Sequence, residues 1–151
     1  MLRKVVRKLW KILPTGVRLK IVRTTQTKFT VSVAVVITNE RNEVLILNHV
    51  LRPFSGWGMP GGFIDRAEQP EAAIRREIRE ETGIELEDLR MFRVRTVNTH
   101  VEILFLAKAI GTPEVKSREI IELNWFAIDE LPEKMSREQK AIIGEILKSG
   151  V

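Results

Sequence analysis

The chain contains no cysteine. A disulfide framework, a thiolate nucleophile and a cysteine-ligated metal are therefore excluded. No stretch reaches the roughly 18 consecutive apolar residues needed to cross a bilayer. The opening MLRKVVRKLWK is basic from the start with no long uncharged run behind it, so it does not read as a signal peptide, and a cytoplasmic location is expected. Internal repeats and low-complexity tracts are also lacking. Acidic residues are missing from the first thirty positions, which hold nine Lys or Arg, whereas residues 31–151 hold sixteen basic and twenty acidic side chains. The net charge of +5 thus describes a basic N-terminal extension on a mildly acidic body. Such a body argues against a domain that grips nucleic acid over its whole surface.

What is present suits one domain: 151 residues with an ordinary apolar share of 44%. Residues 2–13 fit a helix with Leu2, Val5, Val6, Leu9, Trp10, Ile12 and Leu13 on one arc and Arg3, Lys4, Arg7, Lys8 and Lys11 on the other. Pro14 and Gly16 end it. The alternation in 17–23 (VRLKIVR) suggests a strand. Residues 29–38 read as a central strand, with 44–50 as its hairpin partner. RPFSGWGMPGG, dense in glycine and proline, reads as a loop. A helix is expected from Pro70 to Thr82, ended by Gly83. Strands are expected within 89–98 and 100–109 and over 119–126, then a turn at 129–131. A last helix should be capped by Ser136, with Gln139 reaching back to the cap and Ala141, Ile142, Ile146 and Leu147 facing the core. The fold class is α/β, or α+β, with residues 1–16 as an amphipathic extension and 17–151 as the main domain.

On a helical wheel of residues 71–82, which takes in most of RREIREETGI (75–84), Ile74 and Ile78 mark the buried stripe of the central helix, and Glu77, Glu80 and Glu81 fall beside it at spacings that let all three converge. An i,i+4 pair of like charges costs roughly 0.2–0.5 kcal/mol. A divalent cation removes that repulsion, and carboxylate oxygens suit Mg²⁺, Mn²⁺ or Ca²⁺. Taken alone, the glutamates read first as a plain solvated face, since glutamate is a strong helix former. Gly56, Gly58, Gly61 and Gly62 add flexible backbone that can offer carbonyls to a metal or N–H groups to an anion. The loop is neither GxxxxGK[ST] nor GxGxxG.

Gly62, Glu68 and the run Arg76-Glu77-Ile78-Arg79-Glu80-Glu81-Thr82-Gly83-Ile84 together resemble the complete signature box of the Nudix hydrolases. Trp57-Gly58-Met59-Pro60-Gly61-Gly62 is similar to the family's lead-in. Trp125-Phe126 with Asp129-Glu130-Leu131-Pro132 is similar to its closing segment, so the resemblance spans roughly residues 30–148. Ala67 departs from the pattern, since many members carry glycine there. The resemblance implies an α/β/α sandwich around a mixed sheet and Mg²⁺-dependent hydrolysis, with Mn²⁺ as an alternative ion, of a diphosphate linkage in a nucleoside diphosphate joined to another moiety. It implies Glu77, Glu80 and Glu81 as metal ligands, a backbone carbonyl near Gly61 completing the shell, Arg76 orienting Glu77, and Glu68 bracing the loop or joining an outer shell. The general base would be a glutamate, with Glu119 ahead of Glu122 and Glu102, or one in the box helix itself, such as Glu80. Alternatives are a nucleoside triphosphate pyrophosphatase, an RNA 5′-end pyrophosphohydrolase and a non-catalytic nucleotide-binding domain.

On the substrate side, Arg52 can grip a phosphate bidentately, His49 is a hydrogen-bonding residue at a strand end, and Phe54 and Trp57 can stack on a base or pack the loop. Arg93 and Arg95, alternating on one strand, either line an anionic pocket or face solvent. The sequence assigns no role to His100. The N-terminal helix is expected to pack on the domain or across a homodimer; contact with an anionic membrane or with nucleic-acid phosphates is the alternative.

Overall fold

In the computed structural model, which describes residues 2–52 and 55–149, the chain forms two compact units, one up to Thr30 and one from Val31 onward. The first unit is helical: α1 (Leu2–Ile12) and α2 (Thr15–Thr25). The segment 17–23, expected as a strand, lies inside α2. A strand needs a neighbour for its ladder, whereas a helix pairs its own backbone groups. Thr24 and Thr25 add hydroxyl bonds back to the Lys20, Ile21 and Val22 carbonyls. The two-residue alternation scatters apolar side chains around α2, and none of them is buried.

The second unit is built on a seven-stranded sheet: β1 (Thr30–Thr38), β2 (Val44–His49), β3 (Trp57–Gly58), β4 (Gly61–Phe63), β5 (Glu85–Val97), β6 (His100–Ile110) and β7 (Ile120–Phe126). Its order is β3-β2-β1-β6-β5, with β4 paired to β1 and β7 to β2. The glycine segment is therefore not all loop, since two short strands within it lie against β2 and β1.

Side-chain alternation divides the core into two layers. Val33, Val35, Ile37, Leu45 and Leu47 face α3 (Pro70–Thr82) and pack with its Ala73, Ile74 and Ile78. Ala34, Val36, Val44 and Ile46 face the other way and pack with Ile142, Ile143 and Ile146 of α4 (Arg137–Lys148). The result is the α/β/α arrangement around a mixed sheet. On α4, Ile143 takes the buried place expected for Ala141, which is exposed. The Ser136 hydroxyl caps α4 by accepting from Gln139 N. The Gln139 side chain does not return to that cap; its carbonyl accepts instead from Met59 N (3.1 Å).

The end of α3 is held from outside. Gly83, at φ 73°, closes the helix through its N–H to the Arg79 carbonyl. The Thr82 and Glu81 carbonyls receive the N–H groups of Glu114 and Lys116. These bonds fix the last turn, which carries Glu80 and Glu81.

Candidate active site

The box segment folds as strand, tight turn and helix. At Gly61, φ is 145°, and a Cβ there would lie 2.2 Å from the Val33 carbonyl oxygen of β1. Only glycine allows this approach. At Gly62 a Cβ would lie 2.3 Å from the Glu77 carboxyl, so the bare backbone leaves room for that side chain. Ala67 turns the chain into α3 at φ 64°, the left-handed region that makes glycine the common residue at such a position.

Arg76 is the hub of the acidic cluster. Its Nε and Nη2 donate to the two oxygens of Glu68 (2.8 and 2.9 Å), Nη1 donates to Glu77 (2.9 Å), and Nη2 also reaches the Phe63 carbonyl (3.2 Å). Glu68 additionally accepts from Asp65 N (2.9 Å). Both Glu68 oxygens are thereby engaged, which ties Arg76 to the turn at Asp65. The Arg76 hydrogen bonds, helped by that N–H, hold its carboxyl down at about 2. Glu68 in turn raises the pKa of Arg76. Burial pushes the Glu77 carboxyl up, against the opposing pull of Arg76.

Arg76 Nη1 lies between two of the box glutamates, 2.9 Å from Glu77 and 3.4 Å from Glu80, and the charges of Glu81 and Glu80 both push the Glu77 carboxyl up. Glu80 is 60% exposed. Glu81 turns inward, with its side chain only 8% exposed. Among the described residues no group of three or more His, Cys, Asp or Glu side chains stands ready-made to hold a metal ion.

Glu77, Glu81, His49, Arg52 and Glu119 line one cavity of about 340 Å³, floored by Gly61 and Gly62. A register shift between Asn48 and His49 ends the regular pairing of β2 with β7. Beyond it, His49 Nδ1 donates to the Gly56 carbonyl (3.2 Å), leaving Nε2 to receive Arg52 Nη2 (3.3 Å). Glu81 Oε1 stands 3.4 Å from that same Nε2. The other oxygen, Glu81 Oε2, is buried without a hydrogen-bond partner. Arg52 Nη2 donates to the Met59 carbonyl (2.7 Å), while Nη1 is buried and unpartnered. Burial lowers the Arg52 pKa, and Glu81 and Glu102 push it back up. A guanidinium remains charged through such shifts. Buried polar atoms without partners are uncommon in folded proteins. Glu81 lines this cavity, whereas Arg52 lines both it and a neighbouring one with Glu102 and Gln139, and its orphan Nη1 lies against Gly58.

Glu119 is an exposed residue of the cavity wall, anchored where its carbonyl accepts from Val50 N (2.8 Å). The remaining candidates lie elsewhere. Glu122 accepts from the Asn48 side chain across the β2–β7 pair (3.0 Å), as an outward residue of an alternating strand does. Arg93 pairs with Glu145 on α4 (3.0 Å). Arg95 is held by Glu102 (2.6 Å) and by Glu138. Both arginines are thus engaged with carboxylates of the protein, although Arg93 Nε is buried without a partner. Trp57 packs edge-to-face on Phe126 (5.6 Å). Ser32 Oγ lies 2.9 Å from His100 Nε2, and Phe63 meets the His100 ring. Phe54 lies outside the described residues. The tie between Gln139 and Met59 was missed by sequence reasoning, since its members are 80 positions apart.

A family model described as the NUDIX domain matches residues 28–145. The chain belongs to that family, and with it comes the family's general chemistry, hydrolysis of a diphosphate-linked substrate. It is similar to a MutT-like protein of Streptomyces ambofaciens, 35% identical over 109 residues, covering 70% of this chain and 69% of that protein. It is also similar to an ADP-ribose pyrophosphatase of Methanocaldococcus jannaschii, 29% identical over 119 residues, covering 74% and 70%. Some relatives are much longer: the chain spans 15% of the m7GpppN-mRNA hydrolase dcap-2 of Caenorhabditis elegans, which it matches at 30% identity. Among solved structures, the MutT NUDIX hydrolase of Burkholderia pseudomallei superposes with a TM-score of 0.70 at 29% identity, covering 79% of this chain and 98% of that one. The NUDIX domain of Shewanella oneidensis NrtR, solved with ADP ribose, reaches a TM-score of 0.76 at 17% identity, covering 92% and 100%, a likeness of fold alone.

Proposed function

We propose that this protein hydrolyses the diphosphate linkage of a nucleoside diphosphate joined to a sugar-like moiety, of the ADP-ribose or nucleotide-sugar type, with Mg²⁺ or Mn²⁺. The observation that carries the reading is the buried, unpartnered Glu81 Oε2 in a cavity that also holds Glu77, Arg52 and Glu119. A carboxylate oxygen left open favours a hard cation, and a guanidinium in the same cavity favours a phosphate oxygen. Glu77 and Glu81, with the backbone carbonyl of Gly61, would hold the ion, joined by the exposed Glu80, which meets the same Arg76 nitrogen as Glu77. All are hard oxygen donors, and the missing Cβ of Gly62 keeps the Glu77 carboxylate in its place. When bound, the ion supplies offset of diphosphate charge and polarisation of a phosphoryl oxygen.

The chain's own residues do the rest. Arg52 holds a phosphate and is itself held by the Met59 carbonyl. His49 keeps Arg52 and Glu81 in register. Arg76 orients Glu77 and locks the turn through Glu68. Glu119 accepts the proton from the attacking water; the water oxygen bonds to phosphorus, and the bridging P–O bond breaks toward the leaving phosphate. The ADP-ribose pyrophosphatase among the relatives supports this choice of substrate class.

The test is a substrate panel with Mg²⁺ or Mn²⁺: ADP-ribose, nucleotide sugars, dinucleoside polyphosphates, nucleoside triphosphates and 5′-triphosphate RNA, with product identification. The reading predicts a nucleoside monophosphate and a sugar phosphate from the first two groups. Turnover confined to triphosphates or to RNA ends would replace it with one of the alternative substrates. No turnover on any member would favour a non-catalytic nucleotide-binding role.

A further inference from the structure

The helices before Thr30 take no part in the proposed chemistry, yet α1 has the most sharply divided sequence in the chain. Taken at about 100° per residue, its apolar positions fill an arc of roughly 160° and its basic positions the rest, with no residue on the wrong side. Val5, Val6, Leu9, Trp10 and Ile12 are all exposed, Leu9 at 60% and Ile12 at 78%. Val6 and Trp10 share an apolar groove with Arg3 and Arg7, whose aliphatic stems flank it and whose charges stay outside. We infer that α1 docks the protein onto an anionic lipid surface, lying flat with Val5, Val6, Leu9 and Ile12 in the acyl boundary and its lysines and arginines at the headgroups.

Charge selects this occupant over the others. The first thirty residues carry nine Lys or Arg and no acid. A second copy would bring the same basic unit against the first, so a helix-on-helix dimer sets like charges together. Nucleic acid would use the basic arc and leave the apolar arc in water. A membrane bearing anionic headgroups satisfies both arcs at once. Trp10 lies at the border between them, where an indole with one apolar and one polar edge favours the interface. One short helix gives reversible binding, and Arg18, Lys20 and Arg23 on α2 extend the attraction. Among the described residues no helix is long and apolar enough to cross a membrane, which agrees with a surface mode.

The full chain is to be sedimented with phosphatidylcholine vesicles, with and without phosphatidylglycerol, at low and high salt. Binding is expected only to the anionic vesicles and should weaken with salt. The triple variant K4Q/K8Q/K11Q should lose about 100-fold in partitioning, at about fivefold per removed charge. The double variant L9E/W10E should lose binding too, although its basic residues remain, and hydrolysis of soluble substrate should be unchanged in both. Equal vesicle binding by wild type and L9E/W10E would overturn the inference. So would RNA binding without vesicle binding, or a dimer that L9E/W10E dissociates while no form binds vesicles. If L9E/W10E lost activity through misfolding, the triple lysine variant would still decide, because salt-independent vesicle binding unaffected by it contradicts docking by charge.

Discussion

Three arginines sit within five residues of the box helix, and each does a different thing. Arg75 donates to the Leu86 carbonyl (2.6 Å), Arg79 pairs with the exposed Glu85 (2.6 Å), and Arg76 ties Glu68 to Glu77. Only the last shapes the site, and its partner supplies a test by pH. The folded carboxyl of Glu68 is held at about 2, below the ordinary 4.5. A depressed carboxylate stabilises the fold above its unfolded value and loses that contribution as pH falls toward the folded one. The thermal midpoint of wild type should therefore exceed that of E68Q at neutral pH, with the gap closing between about pH 4.5 and pH 2. A constant gap across that window would show that Glu68 contributes by packing instead. Ala67, just before it, is a non-glycine residue in left-handed backbone, which costs roughly 1–2 kcal/mol, part of which glycine forfeits through its freer unfolded chain. A67G should raise the thermal midpoint by about 2–4 °C in scanning calorimetry.

At the scale of elements, two adjacent glycines separate fold from function. Gly61 abuts the backbone of β1, which cannot yield, whereas Gly62 abuts the end of the Glu77 side chain, which can. G61A should thus disrupt the β1–β4 pairing and destabilise by about 3 kcal/mol or more in urea unfolding. G62A should fold but displace Glu77, losing activity with little change in unfolding midpoint. The box helix was legible because it carries three independent signals: an apolar stripe, Pro70 at its start and Gly83 at its end. The segment 17–23 was misread because its alternation of apolar and charged residues is a strand signal only if another strand can pair with it. A wheel places Glu77, Glu80 and Glu81 on one side of the helix, but the ties of their carboxylates to Arg76 and His49 are not visible in it. Glu119 was legible only through the family resemblance, while its presence in the cavity depends on the path of the chain after Lys116.

Across the second unit, the two core layers meet the site from opposite faces of the sheet. The α3 layer supplies the carboxylates. The α4 layer reaches the glycine segment through Gln139, which accepts from Met59 N while the Met59 carbonyl receives Arg52. Q139A leaves a buried N–H unpaired, at a cost of about 1–3 kcal/mol. Because the Met59 carbonyl also positions the Arg52 guanidinium proposed to hold phosphate, KM should rise more than kcat falls; an unchanged KM would show that Arg52 holds its place without α4. This coupling was invisible in the sequence, since Gln139 sits where a helix cap would use it and its partner is a backbone group far away along the chain.

The central claim is that the inward carboxylate of Glu81 holds a divalent ion for diphosphate hydrolysis. Its most direct test is steady-state hydrolysis of ADP-ribose by wild type and E81Q over a Mg²⁺ titration, with circular dichroism of both proteins. The account predicts a loss of about 100-fold or more in kcat for E81Q, an unaltered spectrum, and wild-type activity abolished by EDTA. Full activity in E81Q, or wild-type activity indifferent to EDTA, would contradict it.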